Sequence, residues 1–261
     1  MTATVPDTMT LTEHLGELRV RIIRSGLAVV IGAVAIIAFY GRVLDFLIQP
    51  YRDLCESQPE AFCPGSDADA PLVNAFSPTE GFSARIRIGM YGGIIAALPV
   101  ILWQIWRFVV PALEAKEKKY AIPFVISSVV LFGAGASLAY LTVGRALEFL
   151  IRWSDESVNQ VFGIEKYISL VGLMIFAFGI GFLLPVLLVF LQLVNVVTPR
   201  ILIGAWRYAI VAIFCLAAVI TPSGDPVTLM MLAGPMIVLY FVAVLIGWVI
   251  ERSRRRSSAA A

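Results

Sequence analysis

The chain has 261 residues, of which 59% are hydrophobic and only 15% charged, and its formal net charge is +2. A mean hydropathy of +0.88 and recurring charge-free apolar runs of about 20 residues, the length that spans a bilayer as helix, exclude a soluble fold and fit a polytopic helical membrane protein. Three cysteines make no disulfide scaffold, and a single histidine, His14, excludes a zinc site built on a histidine pair.

Residues 1–9 read as a disordered tail. Thr10 and Glu13 fit a helix-opening box, and Leu11, Leu15, Leu18 and Ile22 then recur at helical spacing. Glu13, Glu17, Arg19 and Arg21 fall between them, so 10–21 is expected as an amphipathic helix lying at the membrane surface before the first span. His14 reads as a surface residue of that helix. The first span is expected at about 22–40, too long and too acidic in its lead for a cleaved signal peptide.

A polar loop follows, rich in proline and carrying six acids from Asp45 to Asp69. Its start could form a surface helix broken at Pro50. The second span covers about 88–110, and Pro99 should kink it. The third, 120–143, contains Gly133 to Ser137, small residues that let another helix approach. After a second polar loop, the fourth span runs over 167–197 with an internal proline, Pro185. The fifth, 208–221, offers only about 14 residues, or roughly 21 Å of helix. Thr221 to Pro226 reads as a tight turn, the sixth span as 227–250, and 251–261 as a basic tail.

Six spans put both termini on one side. The segments on that side hold thirteen basic residues, from Arg19 to Arg256, against seven on the other, where most acids also lie. The positive-inside rule therefore predicts cytoplasmic termini. No phosphate-binding glycine loop or activated nucleophile is visible, which argues against an enzyme. Residues 88–106, 120–144, 167–199 and 226–250 contain no Asp, Glu, Lys, Arg or His. Ion pathways and proton relays usually need such groups, so an ion-coupled transporter is disfavoured and the working charges are expected at the surfaces.

The sequence resembles the TatC family, the multispanning core of the twin-arginine protein translocase, from about Leu11 to Ile250. His14 to Arg21 is similar to the family's His-Leu-x-Glu-Leu-Arg-x-Arg. Pro99, Gln104, Trp106, Phe108, Pro111, Leu113, Glu117 and Lys118 match its second-span pattern, Phe178 to Val186 its fourth-span signature, and Thr221 to Pro226 its last outer turn. The resemblance implies an all-α membrane protein of one domain, with an amphipathic N-terminal helix and six helices in a concave bundle, the fifth and sixth spans short. It implies a receptor and scaffold in the bacterial inner membrane, not an enzyme, without metal or cofactor. Its expected partners are twin-arginine signal peptides of folded cargo, single-span TatA-type and TatB-type subunits and membrane lipid, in homo- and hetero-oligomers, with export driven by the proton-motive force; nucleic acid is not expected.

By that resemblance Glu17 and Glu117 are the acids that would accept the two arginines, because a carboxylate takes a guanidinium's planar fork bidentately and lysine lacks that fork. Arg19 and Phe108 would shape the site, while Pro50, Pro99, Gln104, Pro111, Thr221, Asp225 and Thr228 are expected to be structural or to meet partners. Plainer readings stand beside these. Glu17 can pair with Arg21 across one turn, an exposed contact worth roughly 0.3–0.5 kcal/mol. Glu117 can belong to a solvated cluster, and Trp106 and Phe108 can be interfacial aromatics. Asp225 can simply hold its turn, and Thr221 and Thr228 can bond to a partner helix or to their own backbone. Leu183 and Phe241 stand where relatives often carry polar residues, so roles of those groups do not transfer. Cys55 and Cys63, eight positions apart in an outer loop, could form a disulfide. The rival reading is a small-molecule or ion transporter of the inner membrane.

Overall fold

The computed structural model describes residues 11–57, 73–109, 121–153, 163–221 and 224–259. The tail expected at 1–9, and Cys63, Pro111, Glu117 and Lys118, lie outside them. The described backbone is almost wholly helical: α1 (Leu11–Ala38), α2 (Tyr40–Ser57), α3 (Pro78–Val109), α4 (Ala121–Arg152), α5 (Ile164–Gly181), α6 (Leu184–Leu193), α7 (Pro199–Gly204), α8 (Trp206–Ile220) and α9 (Pro226–Ala259). Five stretches are long and apolar enough to cross a bilayer, on α1, α3, α4, α5 with α6, and α9. The 15-residue α8 is apolar but shorter, as its length in sequence predicts.

Four elements differ from their expected form. The amphipathic stretch and the first span are one continuous 28-residue helix, rather than a surface helix followed by a span. No proline separates them, and Gly16 alone does not break a helix. The fourth span is two helices, α5 and α6, with a turn at Phe182 and Leu183. Pro185 sits in the first turn of α6, where its missing N–H costs nothing, so the break falls just before it. The sixth span, expected to be short, belongs to a 34-residue helix, because the polar run after Ile250 contains neither glycine nor proline to stop it.

Helix α2 is not broken at Pro50 but runs through it for 18 residues. Proline lacks the N–H that would bond to the carbonyl four residues back, here Phe46. The Tyr140 hydroxyl donates to that carbonyl at 2.8 Å, and its ring stacks on Phe46 with centroids 4.4 Å apart. The Tyr167 hydroxyl donates to the next carbonyl, Leu47, at 2.7 Å. The Tyr140 hydroxyl thus replaces the bond that proline removes, and the two tyrosines, from α4 and α5, moor α2 by its inner face, where Ile48, Tyr51 and Cys55 are buried. Burial raises the Tyr51 phenol above its ordinary pKa. Cys55 is disulfide-bonded and Cys215 is free.

Small residues set the helix spacing. On α4, a Cβ added at Gly135 would lie 2.5 Å from the Phe178 carbonyl oxygen of α5, so the expected close approach is made there, whereas Gly133 faces open space. On α3, a Cβ at Gly93 would lie 2.7 Å from the Ala33 nitrogen of α1. The core runs through α4, α5 and α9, with Tyr167, Phe178, Met174 and Leu232 fully buried. A hollow of about 470 Å³ opens between α2, α3, α4 and α5, beside Phe46, Tyr91 and Tyr140. On the side where α3 begins, Arg87 pairs with Glu165 and bonds to Ser169, tying α3 to α5. The Ile164 N–H also donates to the Asn74 carbonyl at 2.9 Å.

Candidate functional site

Helix α1 packs mainly on α3, and only 6% of its apolar window is buried. The pair is antiparallel. Ile37 meets Gly89, Ala33 meets Gly93, and Arg21 reaches Gln104. Continuing this register by one turn brings Glu17 level with Phe108, the last residue of α3 whose side chain is described.

A polar cluster closes this end of the seam. Glu17 and Arg21, four apart on α1, form an ion pair, and the Arg21 guanidinium also donates to the Gln104 carbonyl at 3.4 Å. Arg21 is only 8% exposed. The pairing read from spacing is therefore made, but it leaves groups over. Glu17 Oε2 and Gln104 Oε1 are buried acceptors without a donor, and Arg21 Nε is a donor without an acceptor. A buried acceptor left unmatched costs about 1–3 kcal/mol, and more when charged. Two acceptors and one donor are thus left unmatched in the cluster, an excess of acceptors. A guanidinium supplies donors in a planar fork.

Phe108 is half-buried one turn beyond Gln104, on the same face of α3. Arg19 is exposed and, two residues from Glu17, points to the opposite side of α1, so the structure does not gather it with the cluster. Trp106 faces the bundle, stacked on Phe124 with centroids 5.0 Å apart and edge-on to Phe190 at 5.1 Å. Pro99 lies inside α3, which continues through it.

The turn before α9 forms a second polar cluster. The Thr228 N–H donates to Asp225 Oδ1 at 2.8 Å, and its hydroxyl to Asp225 Oδ2 at 2.6 Å. Asp225 thus caps α9 just before Pro226, at 3% exposure. The Thr221 hydroxyl donates to the Ala217 carbonyl at 2.6 Å, its own backbone. Gly224, with φ 61°, makes the turn. Leu183 lies in the turn between α5 and α6, and Phe241 is exposed on α9.

Sequence reading missed Gln192. It is buried within α6, and its amide donates to the Leu188 carbonyl at 3.2 Å and to the Ala243 carbonyl of α9 at 3.1 Å, bridging two spans. Its Oε1 has no donor and lies against Gly247. A search for ionisable groups within spans passes over a neutral amide; one polar residue facing a glycine on another span was the available signal.

Five bilayer-length apolar stretches and a donor-poor polar cluster at one end of a helix seam define a multi-pass membrane protein. A family model described as Sec-independent protein translocase protein (TatC) matches residues 13–235. The Sec-independent protein translocase protein TatC of Frankia casuarinae is 38% identical over 253 residues, covering 96% of this chain and 69% of the relative. That of Aquifex aeolicus is 36% identical over 250 residues, covering 95% and 98%. A crystal structure described as the twin arginine translocase receptor TatC superposes with a TM-score of 0.71 at 36% identity, covering 91% of this chain and 99% of the other. The chain belongs to the TatC family: it is a component of a protein translocase and not an enzyme.

Proposed function

We propose that the protein is the receptor and scaffold of a twin-arginine translocase, and that signal-peptide arginines bind at the end of the α1–α3 seam. The observation that carries this reading is the pair of buried acceptors, Glu17 Oε2 and Gln104 Oε1, with no donor of their own. A second carboxylate, Glu117, follows eight residues after Val109 in sequence and would serve the other arginine. Phe108 would flank the site, Arg19 would act from its rim, and Pro111 would direct the chain from α3 toward Glu117.

The reading includes a single membrane domain of six spans, with α8 crossing as the short fifth. The thirteen-to-seven distribution of basic residues supports cytoplasmic termini in a bacterial inner membrane, with the seam's polar end on the cytoplasmic face. The exposed apolar side of α1, with Ile23, Val30 and Val34 between 59% and 63% exposed, suits a single-span TatA-type or TatB-type helix. The proton-motive force would drive export. Cys55 would pair with Cys63 on the opposite, oxidising side.

The test is binding of a twin-arginine signal peptide to the reconstituted protein, with a twin-lysine peptide as control. Arginine should be preferred, and Glu17→Gln and Glu117→Gln should each erode the preference. Equal binding of both peptides, unmoved by either substitution, would remove the receptor site from the seam.

A further inference from the structure

We propose that the groove between α7 and α9 is a binding site for an anionic phospholipid, drawn from the leaflet that the C-terminal end of α9 faces. The groove has two parts. The first, about 230 Å³, is lined by Ile203, Phe241, Val244, Leu245 and Trp248. The second, about 200 Å³, is lined by Arg200, Glu251 and Arg252, and again by Trp248. Trp248 lines both, so the two parts adjoin.

Both walls change character in the same direction. On α9, Phe241, Leu245 and Trp248 follow one another at helical spacing, and the next turn brings Arg252. On α7, Ile203 lines the apolar part and Arg200, one turn earlier, the basic part. From Phe241 to Arg252 the stripe is about 16 Å long. An apolar trough ending in two guanidiniums beside a tryptophan matches acyl chain, phosphate and headgroup level in order.

The wall is fixed in place. The Tyr240 hydroxyl donates to the Leu202 carbonyl at 2.7 Å, and Thr198 caps α7 by accepting from the Ile201 N–H at 3.4 Å. Neither Arg200 nor Arg252 has a carboxylate partner among the described residues, where the ion pairs involve other arginines. Glu251 is the one acid in the lining and is engaged in a contact of its own. The sequence continues with three further arginines, Arg254, Arg255 and Arg256. Basic pockets between helices at a membrane surface take anionic headgroups, and guanidiniums bind phosphate oxygens in pairs.

The test is native mass spectrometry of the full-length protein in micelles containing equal amounts of phosphatidylglycerol and phosphatidylcholine. Phosphatidylglycerol should be retained preferentially, with affinity falling about fivefold for each arginine removed in Arg200→Gln and Arg252→Gln. An Arg42→Gln/Arg145→Gln control, of equal charge change elsewhere, should retain it like the parent. An Arg200→Lys/Arg252→Lys variant should recover most of the binding, which separates loss of charge from loss of fold. Retention unchanged in the glutamine variants would overturn the site and leave the groove to a helix of another polypeptide. Displacement of the lipid by excess inorganic phosphate would equally overturn it, reducing the site to one for free anions. Twin-arginine peptide binding should be unaffected throughout, so the outcome is independent of the receptor reading.

Discussion

Replacing Tyr140 by Phe removes one hydroxyl while leaving the ring stacked on Phe46. What it exposes is the Phe46 carbonyl, which Pro50 leaves without an intrahelical donor and which the Tyr140 hydroxyl now satisfies at 2.8 Å. Phe46 is exposed and α2 is not among the bilayer-length stretches, so water can partly take the hydroxyl's place and the lost bond should cost about 0.5–1.5 kcal/mol. At roughly 2–4 °C per kcal/mol for a chain of this size, the apparent Tm in detergent should fall by about 1–6 °C. The decisive arm is the same substitution in a Pro50→Ala background. Alanine restores an N–H four residues after Phe46, so the tyrosine hydroxyl becomes redundant and its removal should cost less than about 0.5 kcal/mol. The two changes should therefore be coupled by about 0.5–1 kcal/mol. Equal losses in both backgrounds would refute the idea that Tyr140 stands in for the bond proline removes.

Gly93→Val should destabilise by at least about 1–3 kcal/mol, because its Cβ would meet the α1 backbone 2.7 Å away, whereas Gly133→Ala, with open space, should be near neutral; thermal aggregation in detergent distinguishes them. Asp225→Ala should cost about 0.5–2 kcal/mol through loss of the α9 cap, and Asp225→Asn should restore much of it, read by melting temperature; equal losses would show that the charge and not the cap matters. Gln104→Leu should weaken twin-arginine peptide binding about tenfold with little change in melting temperature, since it deletes an acceptor that has no donor in the free protein; unchanged peptide affinity would separate Gln104 from the site.

Much of the architecture follows from patterns that are local in sequence. Apolar runs of bilayer length, the proline-and-glycine turn before α9 and the small residues of α4 are readable within windows of a few turns. What was not readable depends on partners far apart in the chain. Pro50 announces a missing N–H, but nothing near it says that a tyrosine 90 residues later supplies the substitute. Its helix therefore looked broken where it is continuous. Glu17 and Arg21 are visible as a pair, yet Gln104, which turns that pair into a three-residue cluster, comes from another span. Arg19 lies two residues from Glu17 in sequence but almost half a helical circumference away in space. The junction of the amphipathic stretch with the first span misled for the opposite reason: a change in composition is not a change in backbone, and without a breaker the helix continues.

The seam between α1 and α3 works as a ruler. Gly93 and Gln104 lie on the same rigid helix, about 16 Å apart along its axis. Because backbone meets backbone at Gly93, the spacing of the two helices is fixed in the middle of the membrane, and Glu17 and Gln104 inherit that spacing at the surface. Their separation is set at a distance and not by flexible side chains alone. A bulky residue deep in the bilayer would then register as altered geometry of Glu17 and Gln104 at the far end of the seam, so the polar cluster and the packing of the helices are inherited as a single trait.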